Sequence, residues 1–239
     1  MTTHSLAESS ADPHAPIASA WHTLIVVAFG ALNAYRGAIH ASQTRAGLGL
    51  TRPWMYLRTM FFEFLFLAVV AVGVRLRHGS LQPIFGQRWR SASQAFRELG
   101  LGIALLVVST VVVSILGGHQ TGAQANQSIV YLLPQNSLEL LLWMALSLTA
   151  GICEEAIYRG YFQRQFTAFT HSVPAGILIS AAAFGAAHAY QGFQRALVIA
   201  ISATLFGLVA QWKATVRPGM SAHTLQDAVA PFLIKLTRP

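Results

Sequence analysis

Charge is what this chain lacks. Of its 239 residues only 10 % are Asp, Glu, Lys or Arg, against about 25 % in ordinary soluble domains. Hydrophobic residues make up 54 %. That balance excludes a disordered chain, a collagen-like chain and a typical soluble enzyme, and leaves a polytopic membrane protein. Cysteine is nearly absent, and Cys153 alone rules out an intrachain disulfide and any Cys-based metal site. Lys and Arg are missing from MTTHSLAESSADPHAPIA at residues 1–18. A secretory signal needs a basic stretch ahead of its apolar core, so residues 1–18 are expected to be a disordered tail and the first span to be retained. The alternating strands of a membrane barrel are also missing. The expected fold is all-α, a bundle of about seven (six to eight) transmembrane helices of about 20 residues each.

The charge that is present is mostly positive, with 16 Lys+Arg against 8 Asp+Glu and a net +8. The arginines are scattered between apolar stretches, with no basic run and no aromatic-basic interleaving. That distribution suits basic flanks against an anionic bilayer rather than a nucleic-acid partner. Apolar segments run at about Ala20–Tyr35, Met60–Val74, Leu99–Leu116, Leu138–Cys153, Ala175–His188, Ala196–Trp212 and Met220–Leu236. Between them, Arg36–Arg58 and Arg75–Glu98 are basic, and Gly117–Gln135 is uncharged. The positive-inside rule puts the uncharged loop outside. It cannot place both basic loops inside, because a single apolar segment separates them. Arg75–Glu98 mixes Arg with Trp and Phe, the composition of an interfacial segment. Residues 19–135 thus form a set of N-terminal membrane helices with an interfacial loop, followed by a second unit at 136–239.

The acidic residues carry the functional signal. Glu154, Glu155 and Asp227 sit in or beside apolar helices. An ionisable group at bilayer depth costs at least about 2.5–3.5 kcal/mol and marks a functional site by default. In Glu154-Glu155-Ala156-Ile157-Tyr158-Arg159, Glu155 and Arg159 are one turn apart and can pair, while Glu154 is turned about 100° away. One carboxylate is then structural and the other faces a cavity as a general base. In Phe184-Gly185-Ala186-Ala187-His188, the ring and the imidazole share a face, and the small residues admit a neighbouring helix. In His223-Thr224-Leu225-Gln226-Asp227, the carboxylate can orient the imidazole. If the helix carrying Glu154 turns near Thr170–Pro174, Glu154 and His188 both lie roughly 24 Å from the turn and so level with each other. His223 fits that level only if the Ala214–Ser221 connection dips into the bundle. Cys153, Tyr158, Tyr161 and the tryptophans read as packing or belt residues. Glu63 and Glu139, near the ends of their apolar segments, read as interfacial.

Glu-Glu-x-x-x-Arg, Phe-x-x-x-His and His-x-x-x-Asp in that order on hydrophobic helices resemble the CPBP (Abi) family of intramembrane proteases. That family includes the type II CAAX prenyl endopeptidases and bacterial relatives linked to bacteriocin processing and self-immunity. The resemblance covers about Leu138–Leu236 and makes 136–239 the catalytic core. Leu205-Phe206-Gly207-Leu208 resembles the family's weaker packing element. The resemblance implies an intramembrane endopeptidase acting on a membrane-anchored protein or peptide, in a multi-pass bacterial inner (plasma) membrane location. It implies that Glu154 activates water, that Glu155 and Arg159 hold the helix and tune that carboxylate, and that His188 positions the water or binds a metal. It gives His223 and Asp227 transition-state stabilisation or metal binding. The last position is often Asn in the family. Asp227 cannot donate to an oxyanion unless protonated, which favours its orienting His223.

Two mechanisms remain open at this stage. One needs no cofactor and uses a glutamate-activated water. The other holds Zn²⁺ through His188, His223 and Glu154. His-Glu-x-x-His, a common zinc signature, is absent, which favours the glutamate route. A proton- or ion-coupled transporter is the main alternative function, and a catalytically silent immunity or scaffold protein the third. Inverted repeats with broken helices, which many transporters carry, are not visible.

Overall fold

The computed structural model describes residues 14–45, 48–78, 80–116 and 131–236. Among them all regular structure is helical. The helices are α1 (Ala20–Arg45), α2 (Arg52–His78), the short α3 (Gln82–Phe85), α4 (Ala92–Leu116), α5 (Ser137–Glu154), α6 (Gln163–Thr170), α7 (Val173–Ala187), α8 (Phe193–Lys213) and α9 (Arg217–Leu236). A π-helical stretch, Glu155–Phe162, joins α5 to α6, so that Ser137–Thr170 is one continuous helix of 34 residues. Each of the seven apolar segments lies on a helix. Among the described residues five helices are long and apolar enough to cross a membrane: Ala20–Gln43, Arg52–His78, Ala92–Leu116, Ser137–Thr170 and Phe193–Lys213. The other two apolar segments form the shorter α7 and the more polar α9.

The ends of these helices follow from local chemistry. The Asn136 side chain accepts from the Glu139 amide at 2.9 Å and starts α5, and the Glu139 carboxylate accepts from the Gln135 amide at 2.8 Å. Ser172 caps α7, with a proline in the first turn. His171 and Ala214 adopt left-handed φ of 50°, which ends α6 and α8 and reverses the chain. The turn after Thr170 is where the sequence placed it.

The continuous helix is the centre of the bundle. Half of its most apolar window is buried, against 11–28 % in the other four long helices. Cys153, Ile157, Tyr158, Tyr161 and Phe162 from this helix pack with Phe66, Val70 and Val74 of α2 and Phe184 of α7. The outward faces of α1, α2, α4 and α8 carry exposed Leu, Ile, Val and Phe, such as Leu24, Phe61, Val107 and Leu197, a surface suited to lipid. Helices approach closely where a side chain is missing. A Cβ on Gly151 would come within 2.9 Å of the Met220 carbonyl of α9, and one on Gly185 within 2.6 Å of the Ala196 carbonyl of α8.

Three expectations need adjustment. The disordered tail does not reach residue 18. Ile17 and Ala18 are buried because their amides donate to Gln165 Oε1 at 2.7 and 3.1 Å; residues 1–13 lie outside the described residues. The interfacial segment Arg75–Glu98 is not wholly superficial, since fully buried Ile84 of α3 packs against Gly160 of the central helix. The basic loop Arg36–Arg58 is mostly helix: α1 runs to Arg45 and α2 begins at Arg52, so Arg36 and Arg58 are helix residues rather than loop residues. Most of Gly117–Gln135, including His119, lies outside the described residues.

Gln165 joins the N-terminal helices to the core. Its Nε2 donates to Thr23 Oγ1 at 2.6 Å and to the Ala18 carbonyl at 3.2 Å. The Tyr161 hydroxyl extends the network to Thr23 at 3.1 Å and His22 at 2.7 Å. Gln165→Ala leaves the Ile17 and Ala18 amides without their acceptor. A loss of about 1–3 kcal/mol per unsatisfied group is expected, measured as a lower unfolding midpoint in detergent relative to wild type.

Candidate active site

Midway along the continuous helix, two adjacent glutamates take different surroundings. Glu155 is 1 % exposed and its Oε1 lies 2.9 Å from the Arg159 guanidinium, itself 4 % exposed. The same oxygen accepts from His223 Nδ1 at 3.2 Å. A bare carboxylate could not stay ionised at this depth, and the guanidinium supplies the counter-charge. Arg159 is held in turn between aromatic faces, 4.5 Å from the Phe184 ring centroid and 5.3 Å from that of Phe206. Glycine at 219 is part of this arrangement, because a Cβ there would stand 2.7 Å from Glu155 Oε2.

Glu154 points elsewhere. It lines a cavity of about 210 Å³ with Tyr158, His188, Tyr190 and, from α2, Glu63. Its Oε2 stands 3.6 Å from His223 Nε2, which is also 3.6 Å from Asp227 Oδ2. His223 therefore bridges the two glutamates, with Nδ1 on the structural one and Nε2 toward the cavity one. The His188 Nδ1 donates to the Phe184 carbonyl at 2.9 Å. That bond fixes the tautomer and leaves Nε2 as an acceptor for a polar guest. In the Tyr190 loop, burial pushes the phenol up to about 12, so it stays a neutral hydrogen-bond donor.

All six residues singled out in the sequence come to this region. Glu154, Glu155, Arg159, His223 and Asp227 are linked by direct ion pairs or hydrogen bonds, and His188 shares the cavity with Glu154. His223 reaches the site because α8 passes it near Phe206, whose ring centroid is 6.3 Å from that of His223. The chain then runs seven residues, about 10 Å, to the end of α8 and returns about 9 Å along α9. Asp227 shares His223 Nε2 with Glu154, while Glu155 holds Nδ1.

Glu63 is the residue that sequence reasoning missed. Its apolar segment was drawn from Met60, which put Glu63 near an end, but α2 begins at Arg52 and places Glu63 eleven positions in. It is buried and lines the same cavity as Glu154. Neither Glu63 Oε2 nor Glu154 Oε2 has a hydrogen-bond partner. The signal was the isolated acid within an apolar helix, once the true helix start is known.

Among the described residues, no three His, Cys, Asp or Glu side chains converge as a metal ion requires. His223 directs Nδ1 at Glu155, 3.2 Å away, and Nε2 at Glu154 and Asp227, each 3.6 Å away. What this arrangement can supply is a carboxylate base, imidazole nitrogens that accept or donate, and a cavity of water-holding size beside them.

Residues 136–229 match the family model described as type II CAAX prenyl endopeptidase Rce1-like. The matched stretch contains Glu154, Glu155, Arg159, His188, His223 and Asp227, while Glu63 lies outside it. Comparisons with curated proteins and with solved structures gave no match.

Breaking the buried pair should unfold more than it inactivates. Arg159→Met leaves Glu155 without its guanidinium, and a loss of about 3–5 kcal/mol is expected. Adding Glu155→Gln to Arg159→Met removes the stranded charge and should recover a large part of that loss in detergent unfolding curves. Equal instability of the single and double variants would contradict the assignment of Glu155 as the paired carboxylate.

Proposed function

We propose that the chain is an intramembrane endopeptidase, resident in a bacterial inner membrane, that hydrolyses a peptide bond of a membrane-associated protein or peptide. The observation that carries this reading is the division between the adjacent glutamates. Glu155 is held by Arg159 and His223, whereas Glu154 opens on a polar cavity that also receives His188. The family match over 136–229 supports the same reaction class.

In this reading a water in the cavity hydrogen-bonds to Glu154 and to His188 Nε2. Glu154 takes the water's proton as its oxygen attacks the peptide carbonyl carbon, and the carbonyl oxygen becomes an oxyanion. His223, with Nε2 toward the cavity, donates to that oxyanion. As the C–N bond breaks, the proton held by Glu154 passes to the departing nitrogen. Glu155 and Arg159 fix the helix so that Glu154 meets the water, and Asp227 holds His223 and favours its protonated form. Glu63 lines the cavity beside Glu154. The step needs no metal as written.

The test uses wild type and Glu154→Gln, purified in detergent and assayed by mass spectrometry against membrane-anchored peptides. Wild type should cleave, and Glu154→Gln should lose at least about 10²-fold, the lower range of a general base. Both proteins should show the same unfolding midpoint within error. Cleavage should persist after treatment with 1,10-phenanthroline. Chelator-sensitive cleavage restored by Zn²⁺ would replace the glutamate route with a metal one. Full activity in Glu154→Gln would remove Glu154 from the reaction.

A further inference from the structure

A second cavity, of about 200 Å³, lies at the end of the bundle where α6 and α8 stop and α9 begins. Gln163, Arg164 and Thr167 of α6 line it with Gln211 of α8 and Thr215 just before α9. Arg159 lines it as well, whereas Glu154 and His188 do not, so it is separate from the candidate active site. Arg164 is partly buried, and among the described residues its guanidinium makes no ion pair or hydrogen bond. The arginines at 52, 159 and 217 all pair with a carboxylate. An unpaired charge withdrawn from water is costly, and a long basic side chain near a helix end ordinarily turns its head outward. The charges around Arg164 do not relieve it. α2 runs parallel to the central helix, with Tyr56 against Trp143 and Phe66 against Phe162, so exposed Arg75 and Arg77 come to the same end. Arg88, Arg90 and Lys213 are exposed there too. Among the described residues the acid at this end is Glu98, which Arg217 already holds at 2.7 Å.

We infer that this cavity binds a phosphate-type oxyanion through Arg164. The guanidinium fork presents parallel N–H donors that match phosphate oxygens in geometry and charge. The Thr215 hydroxyl oxygen accepts from the Arg217 amide at 3.4 Å, which leaves its O–H free to donate. α9 starts at this wall, and the positive end of its dipole adds to the attraction. Gln163, Thr167 and Gln211 supply neutral polar walls with no negative charge to compete. Two sources carry this chemistry: the phosphodiester of an anionic lipid headgroup, or free inorganic phosphate. Arg164 lies six residues before Thr170, the end of α6, about 9 Å along the helix. That depth is close to headgroup level, where basic pockets between membrane helices take anionic lipids. The site stands independently of the endopeptidase reading.

The test uses the full chain, delipidated in a neutral detergent and titrated with short-chain phosphatidylglycerol, short-chain phosphatidylcholine or inorganic phosphate. Binding is read by native mass spectrometry and as a rise in the unfolding midpoint. An anion that fills the site should bind wild type about tenfold or more better than it binds Arg164→Gln, the scale of one charge-assisted contact. Phosphatidylglycerol that binds at least tenfold better than phosphatidylcholine, with inorganic phosphate ineffective, identifies the lipid source. Stabilisation by inorganic phosphate that Arg164→Gln abolishes identifies the free anion. Arg77→Gln removes an exposed charge from the same end of the bundle and should leave either response unchanged. Without any ligand, Arg164→Gln should unfold no lower than wild type, because it removes an unpaired charge. Arg164→Lys and Thr215→Val do not depend on how Arg164→Gln folds, and each should weaken binding several-fold. Wild type that neither prefers phosphatidylglycerol nor responds to phosphate overturns the site, as does a response that survives Arg164→Gln. An equal loss in Arg77→Gln overturns it in favour of a general surface-charge effect. A lower ligand-free midpoint for Arg164→Gln overturns it by showing that the guanidinium already has a partner within the protein.

Discussion

The structure depends on keeping an ionised carboxylate stable inside an apolar bundle. Glu155 does so through Arg159 at 2.9 Å and His223 Nδ1 at 3.2 Å. Those contacts join the central helix to α9, and the rings of Phe184 and Phe206 on α7 and α8 close over the guanidinium. Four helical segments thus meet on one ion pair. Removing either partner would leave a charge with no solvent to receive it. The pair also confers asymmetry on two chemically identical neighbours. Because Arg159 and the Nδ1 of His223 are committed to Glu155, Glu154 is left to the cavity.

The N-terminal helices complete the site. α2 brings Glu63 against Glu154, and α1 with the start of α2 forms the basic wall of the same cavity. The Gln165 clasp on Ile17, Ala18 and Thr23 fastens α1 to the central helix. The family model reaches only from residue 136 to 229, so the cavity is lined both by matched residues and by residues outside the match. The matched part contributes Glu154, Glu155, Arg159, His188, His223 and Asp227. The remainder supplies the α1 and α2 walls of the cavity.

Much of this was legible in the sequence, for identifiable reasons. Low charge density and long apolar segments specify a helical membrane bundle, since backbone hydrogen bonds must close within each helix. The i, i+4 spacing of Glu155 and Arg159 specifies their pairing whatever surrounds them. The common level of Glu154 and His188 follows from helix rise and one turn, and both line the cavity. Less legible were features set by helix boundaries. Hydropathy marks the apolar stretch but not the polar residues that a helix carries beyond it. Glu63 was therefore read as terminal, and Arg36 and Arg58 as loop residues. The position of His223 depends on how far α8 overshoots before α9 returns, a tertiary quantity with no local signature. Ile17 and Ala18 look like tail residues because their acceptor, Gln165, lies far along the chain.

The central claim is that Glu154 opens on the cavity it shares with Glu63, while Glu155 is committed to Arg159 and His223. A hydrophobic carbodiimide reacts with protonated carboxyl groups and spares ion-paired carboxylates, so peptide mapping after labelling reads this division directly. The account predicts an adduct on Glu154 or Glu63, loss of cleavage in step with its formation, and an unmodified Glu155. An adduct on Glu155, with Glu154 and Glu63 both unmodified, would contradict it.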